Sequence, residues 1–161
     1  MKTLWKYLAV LSVVLAGLPA ITGSKAFKLN AAPPACGSAI LHGGYGAGTS
    51  GLINTSGDPN VLTVPTYVPF AEAAYFHFDG HGSLSGTSTA DFGGLVSPVT
   101  FTGTYAVNPN CTGSLTVDAG PNGTIHRDLV IVDGGNEVEF VSTDASVVIA
   151  GSMKRQRVGV E

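Results

Sequence analysis

Two histidines and a carboxylate lie close together in residues 77–81, HFDGH, and this combination of side chains could bind a metal ion. In an extended strand, His77 points away from the apolar face, and His81 falls at the tip of a turn. No third histidine lies nearby to complete a site. We therefore interpret this segment as a solvated turn, and we predict neither a metal site nor a cofactor.

The other candidates for catalysis have less support. His42 and His126 lie in separate segments, and we interpret both as packing or surface residues. No serine occupies a G-x-S-x-G elbow, neither cysteine is placed as a free nucleophile, and no glycine-rich loop joins a strand to a helix. The sequence gives no support for hydrolase, thiol or phosphate-binding chemistry.

A complete β-hairpin spans residues 75–92 and indicates the fold class. Its loop, Gly-His-Gly, predicts a type I turn followed by a residue with positive φ, which glycine tolerates best. This register pairs Phe78 with Leu84 and Phe76 with Gly86 on an apolar, inward face. A glycine opposite an aromatic ring leaves room for it and is typical of the bend by which a sheet closes into a barrel.

The whole chain is typical of β structure. It is rich in Gly, Ser and Thr, and no window shows sustained helical periodicity, so we expect almost no helix outside the N-terminal segment. Residues 51–65 form the longest predicted irregular connection, a usual place for a lid. Strands are predicted at 38–48, 67–79, 83–92, 99–107, 114–118, 125–133, 137–143 and 146–154.

Eight strands joined by short reversals predict an all-β, eight-stranded antiparallel up-and-down barrel. Such a barrel encloses packed side chains or one small ligand. Closure also removes exposed sheet edges. A two-sheet sandwich is the alternative, because the number of strands alone does not separate the two architectures.

The interior is predicted from the alternation of each strand. In the sixth and seventh strands, Val130 and Val132 are predicted to pair with Phe140 and Val138, because the glutamates between them then point outward. Tyr105 is the one predicted inward residue with a hydroxyl, which would orient a ligand. The candidate ligand-binding residues of the lumen are Phe76, Phe78, Leu84, Phe101, Tyr105, Val130, Val138 and Phe140.

The N-terminus has the pattern of a secretory signal. Residues 1–26 begin with lysines and contain an eleven-residue apolar run, too short to span a bilayer, before small residues that predict cleavage after Ala20 or Ala26. A retained N-terminal anchor is the alternative. We divide the chain into a signal peptide at 1–26, a linker at 27–35, a barrel domain at 36–157 and a tail at 158–161.

Export determines the expected charge and partners. Without Lys2, Lys6 and Lys25, five basic residues remain against eleven acidic ones, a formal charge of about −6. Nucleic acid is therefore not expected as a partner. We interpret the C-terminal cluster of Lys154, Arg155 and Arg157 as a solvated tail. We expect no stable membrane span after cleavage, and the oligomeric state stays open.

Cys36 and Cys111 are the only cysteines of the chain. An even number in an oxidising compartment predicts a disulfide, here between the chain start and a turn apex. Two separate buried thiols are the alternative. The predicted location is periplasmic or extracellular.

Three sequence runs carry a resemblance to a known family: FDGHGSLSGTSTADF, SPVTFTGTYAVNPNCTGSL and LVIVDGGNEVEF. They resemble small exported bacterial proteins with an allene-oxide-cyclase-like barrel, which is related in architecture to the lipocalins. The resemblance covers roughly residues 36–156 and implies an eight-stranded barrel. No motif of this chain matches the polar cavity residues of the plant cyclases.

Three functions are compatible with the sequence. A non-catalytic binder of a small hydrophobic molecule comes first, because the inferred lumen is aromatic and no acid, base or nucleophile can be assigned to it. An isomerase or cyclase using the same cavity is second. A structural or adhesive exported protein with a filled barrel is third.

The predicted alternation of the fourth strand can be tested with adjacent substitutions. Phe101→Asp should unfold the domain, because it places a charge in an apolar interior, whereas Thr102→Asp should cost little. Urea unfolding followed by circular dichroism measures both. Equal tolerance at the two positions would contradict the predicted faces.

Overall fold

The described part of the chain forms a closed antiparallel barrel. The computed structural model describes residues 35–54, 66–145 and 147–157. Each strand pairs with the next, and β8 pairs with β1, which confirms the up-and-down barrel and excludes the sandwich. The strands are β1 His42–Asn54, β2 Tyr67–Asp79, β3 Ser83–Phe92, β4 Leu95–Val107, β5 Thr112–Asp118, β6 Thr124–Val132, β7 Glu137–Ser142 and β8 Val147–Arg155.

Helical structure in the described residues is limited to short 3₁₀ turns at Ser38–Ile40, Gly120–Asn122 and Asp133–Gly135. Within the same ranges, no helix is long and apolar enough to cross a membrane. The predicted signal peptide, the centre of the predicted lid and the predicted tail lie outside the described residues.

The predicted strand bounds differ most around β1. The first strand begins at His42, after a 3₁₀ turn at Ser38–Ile40, and it continues to Asn54 through residues that we predicted to be irregular. Glycines and small residues form a strand there because β1 pairs with β2 on one side and with β8 on the other. β4 likewise begins four residues early, at Leu95. The bounds of β2 and β3 agree with the prediction.

The β2–β3 hairpin has the predicted register but a different turn. Phe78 pairs with Leu84 and Phe76 with Gly86. Gly80 has a φ of 81° and Gly82 a φ of 112°, so only the second glycine follows the predicted geometry, and the turn is not type I. Asp79 Oδ1 holds this turn by accepting hydrogen bonds from the backbone N–H groups of the second and fourth residues after it.

Gly86 makes room for an aromatic ring. A Cβ atom at this position would collide with the ring of Phe101 and the backbone of Tyr75. The Phe101 ring packs against Phe76 with centroids 4.8 Å apart. The glycine therefore lets two large rings share one level of the barrel.

The β6–β7 hairpin differs from the predicted register by one residue. Its turn contains four residues, 133–136, because Val132 pairs with Glu137. Phe140 consequently pairs with Leu129 and not with Val130, whose side chain is 49% exposed on the outer surface. A slip of one residue reverses every face of the strand. The prediction of Val130 and Val132 as inward residues is therefore wrong.

Residues 38–41, the closing segment, lie before β1 and close one end of the barrel. Tyr105 donates its hydroxyl hydrogen bond to the carbonyls of Leu41, at 2.9 Å, and Ser38, at 3.1 Å. Arg155 donates from Nη2 to the carbonyl of Ile40 at 2.7 Å and to the hydroxyl of Tyr45 at 2.8 Å. Arg155 is thus a structural residue at the end of β8, and our interpretation of it as part of a solvated tail is wrong.

The predicted disulfide is confirmed. Cys36 and Cys111 are bonded, with Cα atoms 5.1 Å apart and a sequence separation of 75. Cys111, with a φ of 65°, is the last residue of the β4–β5 turn and directly precedes Thr112. The bond fixes the closing segment to the rim of the barrel, and it indicates an oxidising compartment.

Removal of the disulfide should lower stability. We expect the double variant Cys36→Ala, Cys111→Ala to lose about 4 kcal/mol of unfolding free energy, the chain-entropy value for a loop of this length. Urea titration of the oxidised proteins measures the difference. A reducing agent should destabilise the natural protein and leave the variant unchanged; equal stability of variant and natural protein would contradict the assigned role.

Candidate ligand cavity

A cavity of about 370 Å³ occupies the half of the barrel opposite the closed end. Its walls come from the strand ends where β1 finishes, β2 begins and β7 leads into β8. The lining comprises Ile53, Phe70, Glu72, Phe76, Ala90, Phe92, Val99, Phe101, Val117, Ala119, Asn122, Thr124, Ile125, Arg127, Asp144, Ala145, Val147 and Ile149. Most of these side chains are apolar.

Aromatic rings shape the cavity at two levels. Phe70 and Phe92, near the mouth, pack with centroids 5.2 Å apart. Phe76 and Phe101 lie deeper, where the packed core begins. Between these levels Ala90, which is 2% exposed, leaves the volume open because its side chain is small. The result is a mainly apolar space with a solid floor.

Arg127 and Glu72 introduce charge at the inner part of this space. Arg127 is only 3% exposed, and its Nη2 lies 3.4 Å from Oε2 of Glu72. The guanidinium packs over the ring of Phe140, 4.7 Å from its centroid, a favourable cation–π arrangement. Burial lowers the pKa of Arg127, and the charges of Glu72 and Asp144 oppose this shift.

The pairing of Arg127 is incomplete. Its Nε and Nη1 atoms have no hydrogen-bond partner in the described part of the protein. Buried arginines normally use several of their five N–H donors, because an unmet buried donor is costly. Both atoms are inaccessible to a water molecule, so the ion pair with Glu72 leaves the guanidinium incompletely paired within the packed wall.

The rim of the cavity carries a hydrogen-bonded acid. Asp144 Oδ1 lies 2.7 Å from Nδ1 of His126, and Oδ2 accepts a hydrogen bond of 2.7 Å from the backbone N–H of the same histidine. Burial raises the pKa of Asp144, but these interactions outweigh it, and the pKa is lowered overall. Asp144 is therefore ionised at neutral pH, as a second carboxylate of the lining.

The predicted lumen residues separate into three groups. Phe76 and Phe101 line the cavity. Val130 lies on the outer surface. The others are buried in the packed core beneath the cavity: Phe78, Leu84, Tyr105, Val138 and Phe140.

Tyr105 does not have the predicted orienting position. Its hydroxyl is bonded to the closing segment, and burial raises its pKa. It is also not the only inward hydroxyl, because Tyr45 is fully buried and donates a hydrogen bond to the carbonyl of Gly135.

The histidines of the 77–81 segment face solvent. His77 and His81 are both exposed, and Nδ1 of His81 lies 2.9 Å from the backbone carbonyl of Asp79. His42 is likewise exposed, beside the closing segment. In the described ranges, no group of three or more His, Cys, Asp or Glu residues is arranged to hold a metal ion.

The sequence prediction did not find the charged residues of the cavity. Arg127 alternates with Leu129, so the predicted register placed both on the outer face, whereas the observed pairing places both inside. Glu72 was not predicted as a cavity residue, because a carboxylate at an inward-facing position is unusual. The sequence did contain a sign of the inward position of Arg127. Leu129 and Ile131, on the same face of β6 as Arg127, are as apolar as Val130 and Val132 on the other face.

Fold and cavity together define a small β-barrel with an internal space of ligand size. No protein-family model matches the chain, and no curated protein does either. Among solved structures, the chain is similar to a redesigned β-barrel, mFAP1, determined bound to DFHBI, with 15% sequence identity and a TM-score of 0.46. The match covers 73% of this chain and 97% of the other. At this identity the similarity concerns the fold alone.

Asp144 should make stability depend on pH in the acid range. Because its folded-state pKa lies below 3.8, its ionised form stabilises the fold above about pH 4, and this contribution is lost as the pH falls through the lowered pKa. Asp144→Asn should give a shallower loss of unfolding free energy as the pH falls below about 4, measured by urea titration.

The matched control is Asp128→Asn, an exposed aspartate on the outer face of β6. It should keep the acid dependence of the natural protein. An unchanged slope in the Asp144 variant would show that its hydrogen bonds to His126 do not stabilise the fold.

Proposed function

We propose that this protein binds a small, predominantly apolar molecule inside its barrel. The observation that supports this function is the cavity of about 370 Å³, which exceeds roughly 300 Å³, the lower end for ligand pockets. A barrel with a purely structural role needs no such space, because tighter packing of the interior increases stability. The binder is therefore favoured over a filled structural or adhesive barrel.

The compartment is part of the proposal. The disulfide is typical of exported proteins, and the N-terminal sequence has the pattern of a secretory signal. We place the binder in the periplasm or the extracellular space. We also propose that the protein is a member of the bacterial allene-oxide-cyclase-like barrel family, which the sequence runs that resemble it support.

An isomerase or cyclase that uses the same cavity is the second candidate. One observation favours it: Glu72, a carboxylate suited to proton transfer, lines a mainly apolar cavity. Its ion pair with Arg127 ranks this function below binding, because a carboxylate held by a guanidinium is less free to approach a substrate. An enzyme of this type would return a rearranged ligand after incubation, and Glu72→Gln would abolish turnover while retaining binding.

Filling the cavity tests the binding function. N-phenyl-1-naphthylamine, a neutral apolar dye whose fluorescence rises in apolar surroundings, should bind the natural protein with a saturable signal. Ala90→Phe places a ring in the cavity and should weaken binding at least about tenfold, since the volume for the dye is removed. Fluorescence titration measures both dissociation constants.

The control places the same ring on the other face of the same strand. Thr89 is exposed, so Thr89→Phe should bind the dye as the natural protein does. Circular dichroism checks that both variants are folded. Equal binding by the two variants would place the dye outside the barrel, and absence of saturable binding by the natural protein would contradict the proposed function.

A further inference from the structure

The outer surface around the mouth of the cavity is apolar. Most of the exposed large apolar side chains in the described part of the chain lie on the strand ends that surround this mouth. They are Leu52 near the end of β1, Tyr67 at the start of β2, Leu95 and Val96 at the start of β4, and Val148 at the start of β8. We call these five residues the apolar rim. Single exposed apolar residues are common, whereas a group of them marks an interaction surface.

The strand ends at the mouth are apolar on both faces. Val148 is 64% exposed, and its neighbours Val147 and Ile149 line the cavity. Farther from the mouth, by contrast, the outward positions of β4 carry exposed threonines such as Thr102. A strand with one face in water normally alternates between apolar and polar side chains. The apolar rim departs from this pattern where the cavity opens, which indicates contact with something apolar.

The most exposed part of the rim is held in place by its hairpin. The backbone N–H of Gly94 donates a hydrogen bond of 2.6 Å to Oδ1 of Asp91, across the turn between β3 and β4. Leu95 pairs with Phe92, which lines the cavity. The hairpin therefore presents Leu95, 76% exposed, and Val96, 66% exposed, in a defined position beside the cavity mouth.

The charges of the protein are distributed unevenly between the two ends of the barrel. Lys154 and Arg155 lie at the closed end, and Arg157 follows them. At the mouth end, the described residues include no exposed lysine or arginine, because Arg127 is buried. The ionisable side chains on the outer surface near the mouth are Asp91, Asp118, Asp144 and its partner His126. This end is therefore suited to an uncharged or zwitterionic surface and not to an anionic one.

From the apolar rim and this charge distribution we infer that the mouth of the barrel docks on a zwitterionic lipid surface. The inference rests on the proposed binding function, because an apolar ligand partitions into lipid and could enter the cavity from there without crossing water. Leucine and valine are under-represented among the residues that dominate protein interfaces, whereas tyrosine, here Tyr67, is also enriched at membrane surfaces. A lipid surface thus fits the rim better than a protein partner does.

Flotation with phosphatidylcholine vesicles tests the docking surface. We expect the exported protein to float with the vesicles. The double variant Leu95→Ser, Val96→Ser should partition at least about tenfold more weakly, because it removes the apolar side chains that enter the lipid. Both side chains are exposed, so the variant should fold, and circular dichroism checks this.

A matched pair of valines provides the control. Val96→Ser changes the rim, whereas Val130→Ser changes an equally apolar side chain, 49% exposed, on the outer face of β6 towards the closed end. We expect Val96→Ser to weaken partition severalfold and Val130→Ser to leave it unchanged. This pair decides the result should the double variant not fold.

The lipid charge tests the second observation. At pH 7 and low salt, phosphatidylglycerol vesicles should bind the protein more weakly than phosphatidylcholine vesicles, because the aspartates near the mouth are repelled. Tighter binding to phosphatidylglycerol that persists in the double variant would assign the contact to the basic closed end and overturn the inference.

The remaining results are distinct. Absence of flotation, or equal flotation of the natural protein and the double variant, overturns docking through the rim. A natural protein that does not float but dimerises in analytical ultracentrifugation, with a monomeric double variant, would make the rim a protein interface and also overturn it. Binding of N-phenyl-1-naphthylamine in the absence of vesicles should be the same in the natural protein and the double variant. In each of these cases, saturable dye binding leaves the proposed function in place, and its absence contradicts that function separately.

Discussion

Closure of eight strands into a barrel fixes which side chains must share the interior. Every second residue of each strand points inward, and the limited interior has to accommodate them at each level. At the closed end, Tyr45, Phe78 and Tyr105 meet edge to face, with centroids 5.0 to 5.2 Å apart, and fill the space. Towards the mouth, Ala90 and Ala119 replace rings, and a cavity remains. The position of the cavity thus follows from side-chain volume along the strands.

The closing segment explains why this end of the barrel is blocked to a ligand. Residues 38–41 lie over the barrel end, where the hydroxyls of Tyr45 and Tyr105 and the guanidinium of Arg155 satisfy backbone carbonyls. Leu41 is completely buried beneath them. The disulfide adds a covalent tie at the same end. Because these interactions fix this end, we expect the structural changes that accompany ligand binding at the opposite end.

The fold could be predicted from the sequence to a large extent, because alternation and turn residues are local signals. The bounds of β2 and β3 and the pairing of Phe76 with Gly86 are examples. The turn at 133–136 was not predictable from the same signals: the apolar run of β6 fits either face, and the turn geometry depends on Gly135 packing against the carbonyl of Ile40. That contact joins residues almost a hundred positions apart. The register of this hairpin decides the face of Arg127 and therefore the chemistry of the cavity.

Arg127 is difficult to explain by stability alone. A buried ion pair gains little over well-packed apolar side chains, since desolvation offsets most of the attraction. Here the pair is also incomplete, because two nitrogen atoms of the guanidinium lack partners in the described residues. A leucine at this position would complete the apolar wall and remove an unfavourable burial. The cation–π contact with Phe140 and the ion pair with Glu72 recover only part of the desolvation cost, so the place of this arginine beside a space of ligand size fits the proposed binding function better than a role in stability.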